Sequence, residues 1–305
     1  MIEFTVRHTI EDLPFLPHGR TVALGMFDGI HQGHTAIIRD AVRYAAAHGQ
    51  KSLVQTFVNL PKTSDGELTT INERLEILTS LGVDEMLVLD YNSVCDVAPG
   101  DFVTDYLAIR MGAAAIFTGE DYRYGKGALG DVDTLRSECG AAGIDVYVHD
   151  MCLADGSKIS SSRLKECLSS GHPEEYIRLT GGRAFCYEGR VIVGKQLGRT
   201  MGFPTANIKL PDDKFKVRRG VYASRVILGS RSFIGVTNIG LRPTLEDTVE
   251  DVCETFLFDF DEDIYGAHIK VELLAFLRDE TRFGSTEELI SAVEENKRQV
   301  REMMM

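Results

Sequence analysis

The sequence is short of several features that would place a protein in a class at once. It has no tryptophan, no apolar run approaching the roughly 18 residues of a membrane helix, and no basic start followed by an apolar stretch, as a signal peptide has. Its six cysteines are scattered without a Cys-x-x-Cys pair, which argues against a cysteine zinc site and a short-loop disulfide framework. We therefore expect a cytoplasmic protein with reduced thiols and no membrane partner.

Positive charge is also scarce. The chain of 305 residues has 33 lysines and arginines against 46 aspartates and glutamates, a formal net charge of -13. Such a surface repels a phosphate backbone, so we expect no nucleic-acid partner held mainly by phosphate contacts. With 44% hydrophobic and 26% charged residues the sequence is typical of folded, globular protein, and its length fits about two domains.

The two halves of the sequence differ in the pattern of their apolar runs. From Thr21 to about Gly171, short apolar runs such as TVALGMF alternate with helical patterns such as HTAIIRDAVRYAAAHG, which predicts a doubly wound parallel sheet with helices on both faces, an α/β domain. After about Leu179, runs rich in Val, Ile, Phe and Tyr are separated by Gly, Pro and Asp turns, which predicts a mainly antiparallel β-barrel followed by a terminal helix. The predicted domains are residues 1–178 and 179–305.

Two glycine patterns match nucleotide-binding motifs in letters only. GKGALG at 125–130 has the GxGxxG spacing, but EDYRY separates it from the preceding strand, where a dinucleotide fingerprint has to start. GRVIVGK at 189–195 has the spacing of a P-loop, yet Gln196 stands where a magnesium-binding Ser or Thr is required. Neither match predicts a site.

The segment GMFDGIHQGH at 25–34 has the chemistry of an anion site. If a strand ends near Phe27 and a helix begins between His31 and His34, unpaired amides and the positive end of the helix dipole lie at the carboxyl edge of the sheet. Glycines permit close approach of the backbone, and two imidazoles can donate to phosphate oxygens. Taken alone, the segment fits a phosphate site, a metal site or a pair of helix-capping histidines.

GMFDGIHQGH resembles the GxFDGxHxGH signature of the nucleotidyltransferase superfamily that contains the prokaryotic FAD synthetases, in which the HxGH segment holds the ATP phosphates. GEDYRYG at 119–125 and ISSSR at 159–163 follow in the family's order. The resemblance implies catalytic roles for His31, His34 and Arg163. The other implied residues are Gly25, Phe27, Asp28, Gly29, Gly33, Ser160, Ser161 and Ser162 for ATP and phosphate, and Asp121, Tyr122, Tyr124 and Asn59 for flavin.

Each of these segments also has a plain structural interpretation. A serine run before a helical pattern is typical of an N-cap, and GEDYRYG is typical of a solvated turn. One segment departs from the family, which usually has TFxPxP after the second strand where this chain has TFVNLP. That departure, in a segment near the flavin site of the resembling proteins, favours weaker FMN binding.

The second half resembles a riboflavin kinase. GRVIVGKQLGRTMGFPTANI at 189–208 is similar to that family's GR-x-(L/M)-GFPTAN segment, and GVYAS, GVTNIGLRPT, ETFLFDFDEDIYG and LRDETRF follow in the family's order. Hydroxyl and amide oxygens in PTAN suit Mg²⁺ held between protein and ATP. The resemblance implies Thr205 and Asn207 as metal ligands, Glu254 as the base, and Gly194, Lys195 and Gly202 as ATP-binding residues. Without its neighbours, Glu254 would be an exposed strand residue.

The combined resemblance predicts a bifunctional riboflavin kinase and FAD synthetase with riboflavin, FMN and ATP as its small-molecule partners. ATP would be the co-substrate and Mg²⁺ the cofactor, and no particular oligomeric state is predicted. The alternatives are a riboflavin kinase with weak or absent FAD synthesis, a different adenylyltransferase for a small phosphorylated substrate, and a non-catalytic flavin-binding regulator.

Overall fold

The computed structural model describes residues 2–7, 12, 15–59, 65–194, 203–243 and 249–304. The chain divides into two compact units, Met1–Ser161 and Ser162–Met305. In the part of the chain that the structure describes, every helix is too short or too polar to cross a membrane.

The first unit alternates strands and helices, as the sequence predicts. Its strands are β1 Glu3–Arg7, β2 Arg20–Leu24, β3 Lys51–Val58, β4 Glu85–Asp90, β5 Ala113–Gly119 and β6 Asp145–His149, with a short hairpin of β7 Leu153–Ala154 and β8 Ser157–Lys158. Its helices are α1 Gln32–His48, α2 Ile71–Ser80, α3 Tyr91–Val94, α4 Pro99–Asp101, a π-helical segment Phe102–Arg110, a 3-10 turn Lys126–Ala128 and α5 Val132–Ala141.

The first six strands form one parallel sheet in the order β1-β4-β3-β2-β5-β6. From β2 the chain moves outward through β3 and β4, and it then returns to the other side of β2 to form β5 and β6. The strand order therefore reverses between β2 and β5, and ligands of doubly wound sheets bind outside the carboxyl ends of the strands at this reversal. The predicted anion segment and GEDYRYG follow β2 and β5.

Helices cover both faces of this sheet. Ile38 and Ala41 of α1 belong to one buried apolar cluster, whereas Tyr106 of the π-helical segment and Leu135 of α5 belong to a second. Because both faces are covered, all five residues of β2 are buried. The predicted doubly wound α/β fold is confirmed, and α2 begins at a capping box formed by Thr70 and Glu73.

The second unit is a curled antiparallel sheet with flanking helices. It begins with α6 Ser161–Ser170 and α7 Pro173–Leu179, continues through β9 Phe185–Arg190, β10 Thr205–Lys209, β11 Gly220–Leu228, β12 Arg231–Pro243, β13 Val249–Leu257 and β14 His268–Arg278, and ends with α8 Thr286–Met304. The strand order is β10-β13-β12-β11-β14-β9, antiparallel throughout. Ile192, just after β9, donates its N–H to the carbonyl of Asn207 on β10 over 2.8 Å, so the two edges of the curled sheet meet.

The terminal helix lies on one face of this sheet. Val300 of α8 is buried with Val221, Ala223, Val236 and Phe258 in a shared apolar cluster. The predicted mainly antiparallel barrel with a terminal helix is confirmed as a curled, half-barrel sheet with that helix.

The two helices before the sheet belong to the second compact unit, whereas the predicted domain boundary at 178/179 assigns them to the first. The backbone N–H of Arg218 donates to the carbonyl of Leu168 over 3.1 Å, and the guanidinium of Arg218 donates to the carbonyl of Ser170 over 3.1 Å. These contacts tie α6 to a segment far along the chain. The division between compact units thus lies at the first turn of α6, between Ser161 and Ser162, and 178/179 stays a prediction for the limit between the functional domains.

Candidate functional site

The loop between β2 and α1, residues 25–31, has an unusual backbone. Phe27, Gly29 and Ile30 have φ angles of 50°, 79° and 34°, and the side chains of Phe27 and Ile30 are buried. Left-handed angles are costly for residues other than glycine, and they persist where surrounding structure holds them, often at functional sites. Here the burial of these two side chains holds the backbone in the left-handed conformation.

Neighbouring strands fix the start of this loop. The hydroxyl of Thr118 on β5 donates to the carbonyl of Leu24 over 3.2 Å, and the hydroxyl of Thr56 on β3 donates to the carbonyl of Met26 over 2.6 Å. Contacts from β3 and β5, the two neighbours of β2, therefore set the direction in which the loop leaves the sheet.

The two histidines lie at the amino end of α1. His31 is the N-cap, since its Nδ1 accepts from the backbone N–H of His34 over 3.3 Å, so the capping interpretation is confirmed for His31. The rings stack with centroids 3.7 Å apart, and Phe27 meets His34 edge-on. A neutral imidazole that accepts at Nδ1 carries its proton on Nε2, so the cap makes the second ring nitrogen of His31 a hydrogen-bond donor.

Two of the predicted glycines are required by close packing. A Cβ on Gly33 would lie 3.0 Å from the Cβ of Cys152 and 3.2 Å from Nδ1 of His31. A Cβ on Gly25 would lie 2.9 Å from the ring of Phe27. Any side chain at either position would displace the ring that it meets.

Asp28 and Gly29 use their polar groups inside the protein. The carboxylate of Asp28 accepts from the backbone N–H groups of Leu68 and Thr69 over 3.1 and 3.0 Å, and the N–H of Gly29 donates to the hydroxyl of Thr69 over 3.0 Å. These hydrogen bonds hold the shape of the loop, and the phosphate contacts predicted for both residues stay a prediction.

The serine run opens α6, as predicted. The hydroxyl of Ser161 donates to the carbonyl of Asp28 over 2.8 Å and so joins the ISSSR segment to the loop. Ser160 precedes the helix, and Ser162 is exposed in its first turn. These positions are consistent with an N-cap and with an anion site alike.

Arg163 belongs to the second compact unit, where it lies in an ion-pair network. Its guanidinium donates to Glu175 over 3.0 Å, and Arg178 donates to the same carboxylate over 2.6 Å. The hydrogen bond and charge of Arg178, and to a lesser extent those of Arg163, hold the pKa of Glu175 below its ordinary value. Its predicted contact with phosphate stays a prediction.

The predicted flavin residues differ in exposure. Asp121 is exposed and forms an ion pair with Lys158 at 2.5 Å. The rings of Tyr122 and Tyr124 stack with centroids 6.0 Å apart, but Tyr124 is only 5% exposed and donates its hydroxyl to Glu138 over 3.1 Å. Burial raises the pKa of both phenols. Tyr124 is thus part of the core, and Tyr122 is the ring of the pair with more surface.

Asn59 lies just beyond the carboxyl end of β3. Its backbone is left-handed, with φ of 58°, and its amide donates to the carboxylate of Asp90 at the end of β4 over 2.9 Å. The departure from the family's proline therefore places an amide and a carboxylate together at the ligand-binding edge of the sheet.

One residue under the loop was overlooked in the sequence analysis. Arg74 of α2 is wholly buried, and it donates to Thr56, Phe57 and Thr69. It lies four residues before the buried Leu78, so a cation on the apolar face of a helix is the signal that could have found it.

The second cluster lies in the curled sheet. Asn207 of β10 is directly opposite Glu254 of β13 in the register, and the hydroxyl of Thr205 donates to Oε1 of Glu254 over 2.6 Å. The amide nitrogen of Asn207 is 3.4 Å from the Thr205 hydroxyl. Glu254 is half-buried and engaged, which departs from the exposed strand residue considered as its alternative. The structure thus brings the predicted metal ligands and base together.

The donor set of this cluster suits Mg²⁺. A hydroxyl, an amide oxygen and a carboxylate are hard oxygen ligands, which Mg²⁺ prefers. Asn207 is 5% exposed, and a Cβ on Gly194 would lie 2.7 Å from its amide nitrogen, so Gly194 allows the backbone to approach the cluster. The other two predicted ATP residues, Lys195 and Gly202, lie outside the described residues.

Asn238 is a further member of this cluster that sequence reasoning did not single out. It lies on β12 opposite Glu254, so the carboxylate stands between two asparagine positions on neighbouring strands. Glu254 shares its face of β13 with Phe256, which packs against the cluster that includes α8. The second site therefore lies on the face that the terminal helix covers.

Two family models match the chain, one after the other. The model described as FAD synthetase matches residues 15–163, and the model described as riboflavin kinase matches residues 181–304. The chain therefore carries both domains.

Whole proteins are similar over almost the full length. The bifunctional riboflavin kinase/FMN adenylyltransferase of Listeria monocytogenes serovar 1/2a is 31% identical and covers 97% of this chain and 96% of its own. That of Escherichia coli strain K12 is 31% identical and covers 97% of this chain and 95% of its own. A crystal structure named as a macrolide-efflux protein from Streptococcus pneumoniae has a TM-score of 0.88 at 27% identity and covers 98% of this chain and 99% of its own. With both domains matched in order and relatives of this identity spanning it, the chain belongs to the family of bifunctional riboflavin kinases/FMN adenylyltransferases.

Proposed function

We propose that the two activities of this enzyme are divided between its two units. The second would phosphorylate riboflavin with ATP to give FMN and ADP, and the first would join FMN to AMP from ATP to give FAD and pyrophosphate. The supporting observation is that the two polar clusters lie in different compact units, His31 with His34 in one and Thr205, Asn207 and Glu254 in the other.

In the kinase step, Glu254 would be the general base. Thr205 donates to Oε1 of its carboxylate, so we assign the ribityl hydroxyl of riboflavin to Oε2. As that hydroxyl loses its proton to Glu254, its oxygen bonds the γ-phosphorus of ATP and the bond to the β-phosphate oxygen breaks. Mg²⁺, held by Thr205 and Asn207, would neutralise charge on the phosphates.

In the adenylyl step, the protein would position and neutralise charge. A phosphate oxygen of FMN attacks the α-phosphorus of ATP and pyrophosphate leaves, so no covalent protein nucleophile is required. The amino end of α1 and Nε2–H of His31 would donate to the phosphate oxygens, with His34 stacked beside it. For Arg163, the family motif is the support for a role in binding ATP phosphates.

The test is a chromatographic time course that resolves riboflavin, FMN and FAD, with riboflavin, ATP and Mg²⁺ and then with FMN as the starting flavin. Transient FMN followed by FAD is expected. Omission of Mg²⁺ should stop FMN formation and its return should restore it. FAD that forms from riboflavin without FMN passing through the mixture would contradict the two-step order.

A second candidate function is riboflavin phosphorylation with weak FAD synthesis. The observation that favours it is Asn59, whose amide is bound to Asp90 where the family has a proline-containing segment. It predicts that FMN accumulates as the end product and that added FMN is not consumed, which the second arm of the same time course measures.

A cytoplasmic location, which the sequence predicts, stays a proposal. Four of the six thiols are buried, and burial raises the pKa of Cys139 and of Cys253 to about 12. Such thiols are unreactive, and cysteines that are free rather than paired in disulfides are typical of a reducing compartment.

A further inference from the structure

Below the loop 25–31 lies a cation that no ligand can touch. Arg74 of α2 has no exposed surface. Its Nη1 donates to the hydroxyl of Thr56 over 3.1 Å and to the carbonyl of Phe57 over 3.0 Å, and its Nε donates to the hydroxyl of Thr69 over 3.2 Å. One planar group thus reaches the end of β3 and the segment that leads into α2.

Each hydroxyl that Arg74 contacts also forms a hydrogen bond with the backbone of the loop. The Thr56 hydroxyl donates to the carbonyl of Met26, and the Thr69 hydroxyl accepts from the backbone N–H of Gly29. Because a hydroxyl has one proton and can accept as well, Arg74 fills the acceptor position on Thr56 and so leaves its proton to the loop. Two points of the loop are therefore held through one guanidinium.

Charge pairing completes the arrangement. Nη2 of Arg74 forms an ion pair with Glu67 and lies 3.5 Å from Oδ1 of Asp28, the loop residue between those two points. A buried charge is tolerated where it is paired and hydrogen-bonded. The planar fork of arginine is what allows these contacts at once, whereas lysine offers one compact donor group.

We propose that Arg74 is a positioning residue for adenylyl transfer, which holds the loop 25–31 so that His31 and His34 present their donors to the phosphates. The inference rests on the assignment of that reaction to the first unit. Arg74 itself contacts no substrate, so its loss acts through the loop. A displacement of about 1 Å in a site of this kind can lower a rate by roughly 100-fold.

A matched control exists in the same sheet. Arg20 is the first residue of β2, at the opposite edge, and it is also buried, with 8% of its surface exposed. It donates to both carboxylate oxygens of Glu85 over 2.6 and 3.0 Å. Arg20→Lys and Arg74→Lys therefore make the same chemical change to a buried, paired arginine. Arg74 is connected to the loop through Thr56 and Thr69, whereas Arg20 pairs with Glu85.

The experiment measures kcat and KM for FMN and ATP in FAD synthesis, and riboflavin phosphorylation by the same samples, below the unfolding temperature of both variants. For Arg74→Lys we expect kcat for FAD synthesis to fall by about 10-fold to 100-fold, with a smaller change in KM and unchanged kinase activity. Arg20→Lys should leave both activities within about twofold. Equal losses in the two variants, or an Arg74→Lys variant with the wild-type kcat, would overturn the proposal.

A second variant pair serves if Arg74→Lys does not fold. Thr69→Val removes the hydroxyl that joins Arg74 to Gly29, whereas Thr69→Ser keeps it. We expect the valine variant to lose FAD synthesis and the serine variant to retain it. Equal kcat in the two variants would contradict the relay.

Amide hydrogen exchange supplies a readout that needs no turnover. The N–H of Gly29 should exchange faster in Arg74→Lys than in the wild type and at the wild-type rate in Arg20→Lys. If the wild-type chain made no FAD while this difference was present, the proposed function would fail, and with it the link to adenylyl transfer, whereas the role of Arg74 in holding the loop would stand. An unchanged Gly29 exchange rate in Arg74→Lys would refute the positioning role by itself.

Discussion

The two candidate sites of this enzyme are built in different ways. The first lies on a loop whose left-handed backbone at Phe27 and Ile30 is held by contacts from other elements. The second lies on two paired strands, where the register alone sets Asn207 opposite Glu254. A loop site depends on supports that lie far away in sequence, whereas a strand site depends on the correct pairing of its own strands.

The largest effect is expected from a substitution that disables the second site and leaves the first intact. Glu254→Gln should lower riboflavin phosphorylation by about 100-fold to 10,000-fold, because the amide cannot accept the proton of the ribityl hydroxyl. FAD synthesis from FMN should be unchanged. The control is Glu272→Gln on β14, whose carboxylate pairs with Arg225 away from the cluster and whose loss should leave both activities near the wild type.

Loss of FAD synthesis from FMN in folded Glu254→Gln would show that one site serves both reactions. The comparison between a strand site and a loop site would then be wrong.

The next effect breaks the first site. His31→Asn retains an N-cap for α1 but removes the imidazole, so we expect FAD synthesis to fall by roughly 100-fold to 1,000-fold while FMN formation is spared. His48→Asn, in the last turn of the same helix, is the control and should retain both activities. Full FAD synthesis by His31→Asn would leave His31 with the capping role alone.

A smaller effect probes how tightly the loop is packed. Gly33→Ala places a methyl group 3.0 Å from the Cβ of Cys152 and 3.2 Å from the His31 ring, so we expect FAD synthesis to fall by about 10-fold. Gly140→Ala in α5, where no atom lies within 4 Å of the added carbon, is the matched control and should be neutral or slightly stabilising. Wild-type activity of Gly33→Ala would mean that the stacked histidine can move without cost.

The smallest effect concerns the opposite edge of the parallel sheet and separates stability from activity. Burial alone would raise the pKa of Glu85, but hydrogen bonds from Arg20 and Lys51 outweigh it and hold the pKa below its ordinary value. A lowered folded-state pKa gives stability that is present above the unfolded-state pKa, about 4.3, and is lost as the pH falls through the folded-state value.

The measurement is the unfolding temperature of wild type and Glu85→Gln across this range. The difference between them should be a few degrees above about pH 5 and should shrink as the pH falls towards 3. A difference that grows on acidification would contradict the sign of this pKa shift.

The sequence allowed the fold class of both units to be predicted because alternation of strands and helices, and then of strands and turns, is a local pattern. It also singled out His31, Thr205 and Glu254 as candidate site residues, since short motifs carry their chemistry in neighbouring residues. It did not show that α6 packs with the second unit, because this depends on Arg218, far along the chain. Nor did it show that the carboxylate of Asp28 accepts hydrogen bonds from Leu68 and Thr69, because these residues are also distant in the chain.

Burial was the other property that the motifs did not reveal. Tyr122 and Tyr124 read alike in GEDYRYG, yet the second ring is buried against Glu138. Arg74 was overlooked because a cation in a helical pattern is usually solvated, and its role depends on partners from two other segments, the end of β3 and the residues before α2.

The central claim, two independent sites in one chain, is tested most directly by mixing two inactive variants. His31→Asn should convert riboflavin to FMN only, and Glu254→Gln should convert FMN to FAD but not riboflavin to FMN. With riboflavin, ATP and Mg²⁺, neither variant alone should form FAD, and their mixture should form it by way of released FMN. A mixture that forms no FAD, although each variant retains its own single step, would contradict the account.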